Sequence, residues 1–256
     1  MFTEGGNALR NYLTAVSRPV AQGSTMLRPA ITISRETGAG ALPIANLIAR
    51  QLDVDFPGDP PCSWIVFDRN LITKVLEDHD LSKQIEEFMP EDARFPPTEA
   101  FEFLLGLHPP SGMLREYAKE TIRKLATAGN VILVGRGGAM ITAGLRHVLR
   151  VRLVAPFEFR VRNYVAMNRV SRQKAMRTVR GNDAANRQYI RSYFGTNISD
   201  PRHYDLIINT EANGFERAAR VICRALQELM ADQSGKSEPE TAQAGCGNQV
   251  ADPGRS

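Results

Sequence analysis

Five short runs of apolar and β-branched residues punctuate the chain: Ile31–Ser34, Trp64–Phe67, Val131–Val134, Val148–Val154 and Leu206–Ile208. Their apolar character is near-continuous, not alternating, and that is the pattern of strands buried on both faces of a parallel sheet. Between the runs the pattern changes to helical spacing. Leu114, Tyr117, Ala118, Thr121, Ile122 and Leu125 fall on one face of a helix, with Ser111 placed to cap its start and Gly129 to end it. Ser171 and Gly214 stand where two later helices should begin. Strand and helix alternate throughout, which predicts an α/β fold in three layers with a five-stranded parallel sheet. No internal repeat interrupts the alternation.

Composition sets the boundaries of that domain. The chain has 256 residues, 43% of them apolar, enough for a substantial core. Residues 1–28 read as a short helix around Ala8–Val16 followed by a linker, residues 29–232 as the α/β domain, and residues 233–256 as a disordered tail too poor in large apolar side chains to repay its ordering entropy. Residues 69–110 read as an insertion of short helices, punctuated by Pro90, Pro96, Pro97, Pro109 and Pro110. No apolar run approaches the ~20 residues a membrane span requires, and the first 28 residues lack the apolar stretch of a secretory signal. Cys62, Cys223 and Cys246 have neither disulfide nor metal-site spacing, so a reducing cytoplasm is the expected compartment.

The formal net charge is only +4, but it is unevenly spread. From Arg146 to Arg191 the chain carries eleven arginines and Lys174 against only Glu158 and Asp183. Such a stretch needs an anionic partner or ample solvent, and arginine's planar fork suits phosphate. Few aromatics for base stacking and no nucleic-acid module argue against nucleic acid as that partner.

The chemistry concentrates at Ile31-Thr-Ile-Ser-Arg-Glu-Thr-Gly-Ala-Gly-Ala-Leu-Pro-Ile-Ala45, a strand that turns through two glycines into an amphipathic helix. Gly38 and Gly40 permit positive φ and close backbone approach, and successive N–H groups at a helix N-terminus face a bound anion. The usual phosphate-loop pattern places Lys and a hydroxyl residue after the second glycine; here Ala41 and Leu42 stand there. A two-glycine turn used only for packing has the same signature.

Taken in order, this loop, Val66-Phe-Asp-Arg-Asn-Leu-Ile72, Asn130-Val-Ile-Leu-Val-Gly-Arg-Gly137, Val151–Arg162 and Asp183 through Tyr204-Asp-Leu-Ile-Ile-Asn-Thr210 resemble the cytidylate kinase-like family of P-loop nucleoside monophosphate kinases, from about Arg28 to Met230. The resemblance implies ATP with Mg2+ as donor and a nucleoside monophosphate, CMP foremost, as acceptor. It places the donor site on Ser34, Thr37, Gly38, Ala39, Gly40, Ala41 and Leu42, with Arg35 reaching back over the phosphates. A surface ion pair of Arg35 with Glu36 or a neighbour is the alternative. On the acceptor side it implies the insertion 69–110, Asp68, Arg69, Arg136 and Asp183, although Gly137 replaces an Asp common in the family. An Arg-rich lid over 170–203 would close Arg180, Arg187 and Arg191 over the transferring phosphate, the three sharing a helix face with Asp183. Arg160 matches an arginine on the helix after the fourth strand, Asp200-Pro201 and Tyr204-Asp205 read as structural, and no metal ligand is singled out. With Ala41 in the lysine position, a degenerate kinase that binds nucleotide without transfer is the rival expectation.

Overall fold

The computed structural model describes residues 28–55, 63–68, 112–135 and 137–234, the stretch 112–118 by backbone alone. Its elements are β1 (Ala30–Arg35), α1 (Ala41–Asp55), β2 (Ile65–Phe67), α2 (Gly112–Ala128), β3 (Val131–Val134), α3 (Gly138–Ile141), β4 (Val148–Val154), α4 (Phe157–Asn168), α5 (Arg172–Phe194), a 3-10 turn (Pro201–His203), β5 (Leu206–Asn209) and α6 (Thr210–Ser234). The five strands form one parallel sheet in the order β2-β3-β1-β4-β5. That is the α/β architecture the apolar runs predict. The proposed N-terminal helix, the whole insertion 69–110 and all but the first two residues of the proposed tail lie outside the described residues, while α6 runs on to Ser234, past the boundary read at 232.

Alternation along β1 assigns its two faces. Ile31 and Ile33 are fully buried in a core built with Leu149, Val151 and Leu153 of β4, and α1 and α6 cover it. The α1 contribution, Ala41, Ile44, Ala45, Ile48, Ala49 and Leu52, recurs at three- and four-residue spacing, as an amphipathic helix requires. On the other face Thr32 lies against Gly138, so α3 packs there, beside α2. The chain therefore leaves β1 toward one face and leaves neighbouring β3 toward the other. A crevice opens between their carboxyl ends, the place where open α/β sheets bind ligands.

Ser171 caps α5 by accepting a hydrogen bond from the Lys174 amide at 3.3 Å, and Gly195 ends that helix at φ 63°. Gly214, at φ 68° and ψ 167°, breaks α6 after its first turn, so the long run of that helix starts beyond the glycine, as the sequence suggests. Arg150 grips Asp205 through Nε and Nη2 at 3.0 and 2.6 Å and ties β4 to the entry of β5.

Cys223 of α6 is fully buried, and burial, with Asp55 nearby, pushes its thiol up to about 12. Thiolate is the reactive form, so Cys223 should resist iodoacetamide at about pH 8 in the native chain and react once urea unfolds it. Peptide mapping reads this directly, and native labelling of Cys223 would contradict the packing.

Candidate functional site

The loop after β1 is held tightly. The Glu36 N–H donates to the Leu153 carbonyl at 3.0 Å, the Ala39 N–H closes a turn onto the Glu36 carbonyl at 3.1 Å, and α1 begins with the Ile44 N–H on the Gly40 carbonyl at 3.1 Å. Gly38 and Gly40 take φ of 86° and 84°, in the left-handed region that favours glycine. Pro43 has no N–H to offer. Among the described residues no protein group meets the N–H of Gly38, Gly40, Ala41 or Leu42, which leaves four donors at the start of a fifteen-residue helix.

The glycines also serve packing. A Cβ on Gly38 would stand 2.3 Å from the Arg160 carbonyl oxygen, and one on Gly40 would stand 2.4 Å from the Phe215 ring. Gly40→Val should therefore cost the fold about 2–4 kcal/mol in urea denaturation, from strained backbone and overpacking together. Unchanged stability would contradict that contact. Ala41 packs into the core, so the place of the usual lysine faces inward.

Arg35, the last residue of β1, crosses the crevice. Its Nη1 lies 2.6 Å from where a Cβ on Gly135 would be, so the guanidinium rests on the turn after β3, and Gly135 at φ 91° leaves room for it. Burial lowers its pKa from the ordinary arginine value while the carboxylates of Asp183 and Asp68 act to raise it. An arginine so placed remains a cation in neutral solution. The surface pair with Glu36 is not formed. Glu36 instead accepts from the Ala155 N–H at 3.1 Å and lies 3.4 Å from Arg160 Nε.

Arg160 of α4 is the hub that sequence reasoning undervalued. Its Nε donates to the Ala155 carbonyl at 2.9 Å, and its Nη1 to the Thr37 carbonyl at 3.1 Å and to Asp183 Oδ2 at 2.6 Å. Asp183 Oδ1 accepts from the Thr37 N–H at 2.8 Å. Both oxygens of Asp183, read as a substrate contact, are thus engaged by protein. The same bond fixes α5 against the loop. Arg180, a turn earlier, stacks its guanidinium 4.8 Å from the Phe157 ring centroid. Arg187 and Arg191, one and two turns later, are exposed and form no ion pair among the described residues.

Ser34 is committed elsewhere: its Oγ accepts from Arg152 Nη1 at 3.1 Å and from the Tyr204 hydroxyl at 3.3 Å. Tyr204, Asp205 and Asp200, which caps the 3-10 turn, play the structural parts expected of them. The Thr37 hydroxyl has no partner among the described residues, which contain no cluster of three or more metal-ligating acids, histidines or cysteines. Asp68 stands at the end of β2 facing Arg35, while Arg69 and Arg136 lie outside the described residues. Asn163, whose Nδ2 donates to the Gly38 carbonyl at 3.1 Å, and Phe215 are further parts of the site that the sequence did not single out. The i, i+3 spacing of Arg160 and Asn163 was the available signal for one of them.

A model of the cytidylate kinase-like family matches residues 30–212. A cytidylate kinase from Staphylothermus marinus is 25% identical over 105 residues, spanning 41% of this chain and 59% of that protein. One from Pyrococcus horikoshii is 28% identical over 144 residues, spanning 56% of this chain and 72% of that protein. An uncharacterized protein of known crystal structure from Eubacterium ventriosum superposes with a TM-score of 0.50 at 17% identity, over 78% of this chain and 99% of that one, a likeness of fold.

Proposed function

The chain belongs to the cytidylate kinase-like family, and on that premise we propose that it is an ATP-dependent nucleoside monophosphate kinase with CMP as the first candidate acceptor. The observation that carries this reading is the meeting, at one sheet edge, of the unpartnered loop amides with Arg35, which crosses from the loop's own strand to the β3 turn and faces Asp68. In this reading the amides of Gly38, Gly40, Ala41 and Leu42 cradle the donor phosphates beside Ala39 and Thr37. Arg35 stands between donor and acceptor as the cation that position 41 does not supply.

Transfer between phosphates asks for position and positive charge more than for acid or base catalysis, because the acceptor oxygen is already ionised. Magnesium arriving with ATP would neutralise charge between phosphates. The Thr37 hydroxyl fits its neighbourhood better than Ser34, which is already engaged. We assign the acceptor phosphate to Asp68, Arg69 and Arg136, and the closing charge to Arg180, Arg187 and Arg191. Asp183 then acts on substrate through the loop it holds. Among the described residues no helix is long and apolar enough to cross a membrane; we assign the chain to the cytoplasm on its cysteine usage.

Two observations favour a second reading, nucleotide binding without transfer: Ala41 is turned into the core, and a carboxylate occupies the Thr37 amide. A coupled assay of ADP release with magnesium-ATP and AMP, CMP, GMP, UMP and dCMP in turn separates the two. Turnover dependent on one monophosphate supports the kinase. Saturable ATP binding with ADP release at background for all five supports the second reading.

A further inference from the structure

We propose that Arg160 is a positioning residue for the phosphate loop, acting by neutralising Glu36 and Asp183 beside it and touching no substrate; this rests on the reading of that loop as the ATP site. Its side chain is only 9% exposed, against 12% for Asp183 and 30% for Glu36. Asp183 holds the loop amide of Thr37 at 2.8 Å, and Glu36, within the loop, ties it to the Ala155 amide after β4 at 3.1 Å. A loop built to receive a polyanion is therefore bracketed by two anions. Arg160 pairs with both and also donates to the Thr37 carbonyl at 3.1 Å.

The same helix holds the loop from outside. Gly38 is seated on the backbone carbonyl of Arg160, and Asn163, one turn on, donates to the Gly38 carbonyl at 3.1 Å. The Phe157 ring lies 5.7 Å from the guanidinium carbon of Arg160 and 4.8 Å from that of Arg180, so α4 registers a lid arginine as well. Removing the guanidinium strands two carboxylates where phosphate must enter. The penalty falls on ligand binding as well as on the fold.

The sign of a double substitution tests this. ATP affinity is measured by calorimetry at fixed ionic strength for the wild-type chain, Arg160→Gln, Asp183→Asn and the pair, with melting temperatures alongside. Arg160→Gln should weaken ATP by about tenfold or more, and adding Asp183→Asn should recover much of that loss, because it removes a stranded negative charge. Unchanged affinity in Arg160→Gln, or losses that add in the double variant, would overturn the proposal even with ATP binding intact in the wild type. If Arg160→Gln does not fold, Arg160→Lys takes its place: it keeps the charge without the fork, and near wild-type affinity supports neutralisation whereas a full tenfold loss overturns it. A wild-type chain with no ATP affinity would overturn the loop assignment first, and this inference with it.

Discussion

Arg187→Ala should lower kcat by about 10²-fold or more while moving the ATP dissociation constant by less than about tenfold. The asymmetry follows from where the residue sits. Asp183 pins α5 to the loop through the Thr37 N–H at 2.8 Å, and Arg187 lies one turn further on the same face. It is exposed and has no ion-pair partner among the described residues, so its charge is unspent in the resting chain. A cation brought over the transferring phosphoryl group gains most as charge redistributes in the transition state, and only that gain reaches kcat. Equal losses in kcat and in ground-state ATP binding would make Arg187 a uniform binding contact and remove it from the catalytic set.

Arg35→Ala should be the most damaging single change, with kcat/KM falling by about 10³, the loss of some 4 kcal/mol of transition-state stabilisation. No other described cation crosses from the loop's strand to the turn after β3. Lysine should restore little of it, since a compact ammonium cannot span the crevice as the planar fork does. The melting temperature is the control. Burial opposes the charge of Arg35 while Asp183 and Asp68 favour it, so the effects partly offset and its removal should cost only modest stability. Retained activity with a sharply lowered melting temperature would reverse the assignment and make the residue a structural brace between Asp68 and Asp183.

The fold was legible because a parallel sheet buries both faces of its strands, and buried strands announce themselves as apolar runs. Val131–Val134 and Val148–Val154 are strands to the residue, while β1 extends one residue beyond its apolar run at each end. The Ser171 cap and the Gly214 break were legible for local reasons, a hydroxyl before a helical pattern and a glycine with positive φ. The site was only half legible. The candidate loop shows itself as strand, glycines and helix, but nothing local says that Thr37 will meet a carboxylate 146 positions away. Nor does it show that Gly40 faces Phe215 or that Arg152 of β4 and Tyr204 after the 3-10 turn converge on the Ser34 hydroxyl. Those contacts are set by the order in which strands pair. The resemblance supplied the residue types, and the sheet order brought Arg35, Glu36, Arg160 and Asp183 to one edge.

The central claim is phosphoryl transfer, and γ-32P-labelled ATP tests it most directly. The chain is incubated with labelled ATP, magnesium and CMP, and the products are separated by chromatography. The account predicts label in CDP, formed in step with ADP and absent from Arg35→Ala on the same timescale. Label appearing only as inorganic phosphate, or remaining in ATP bound by the chain with CMP and every other monophosphate, would contradict it.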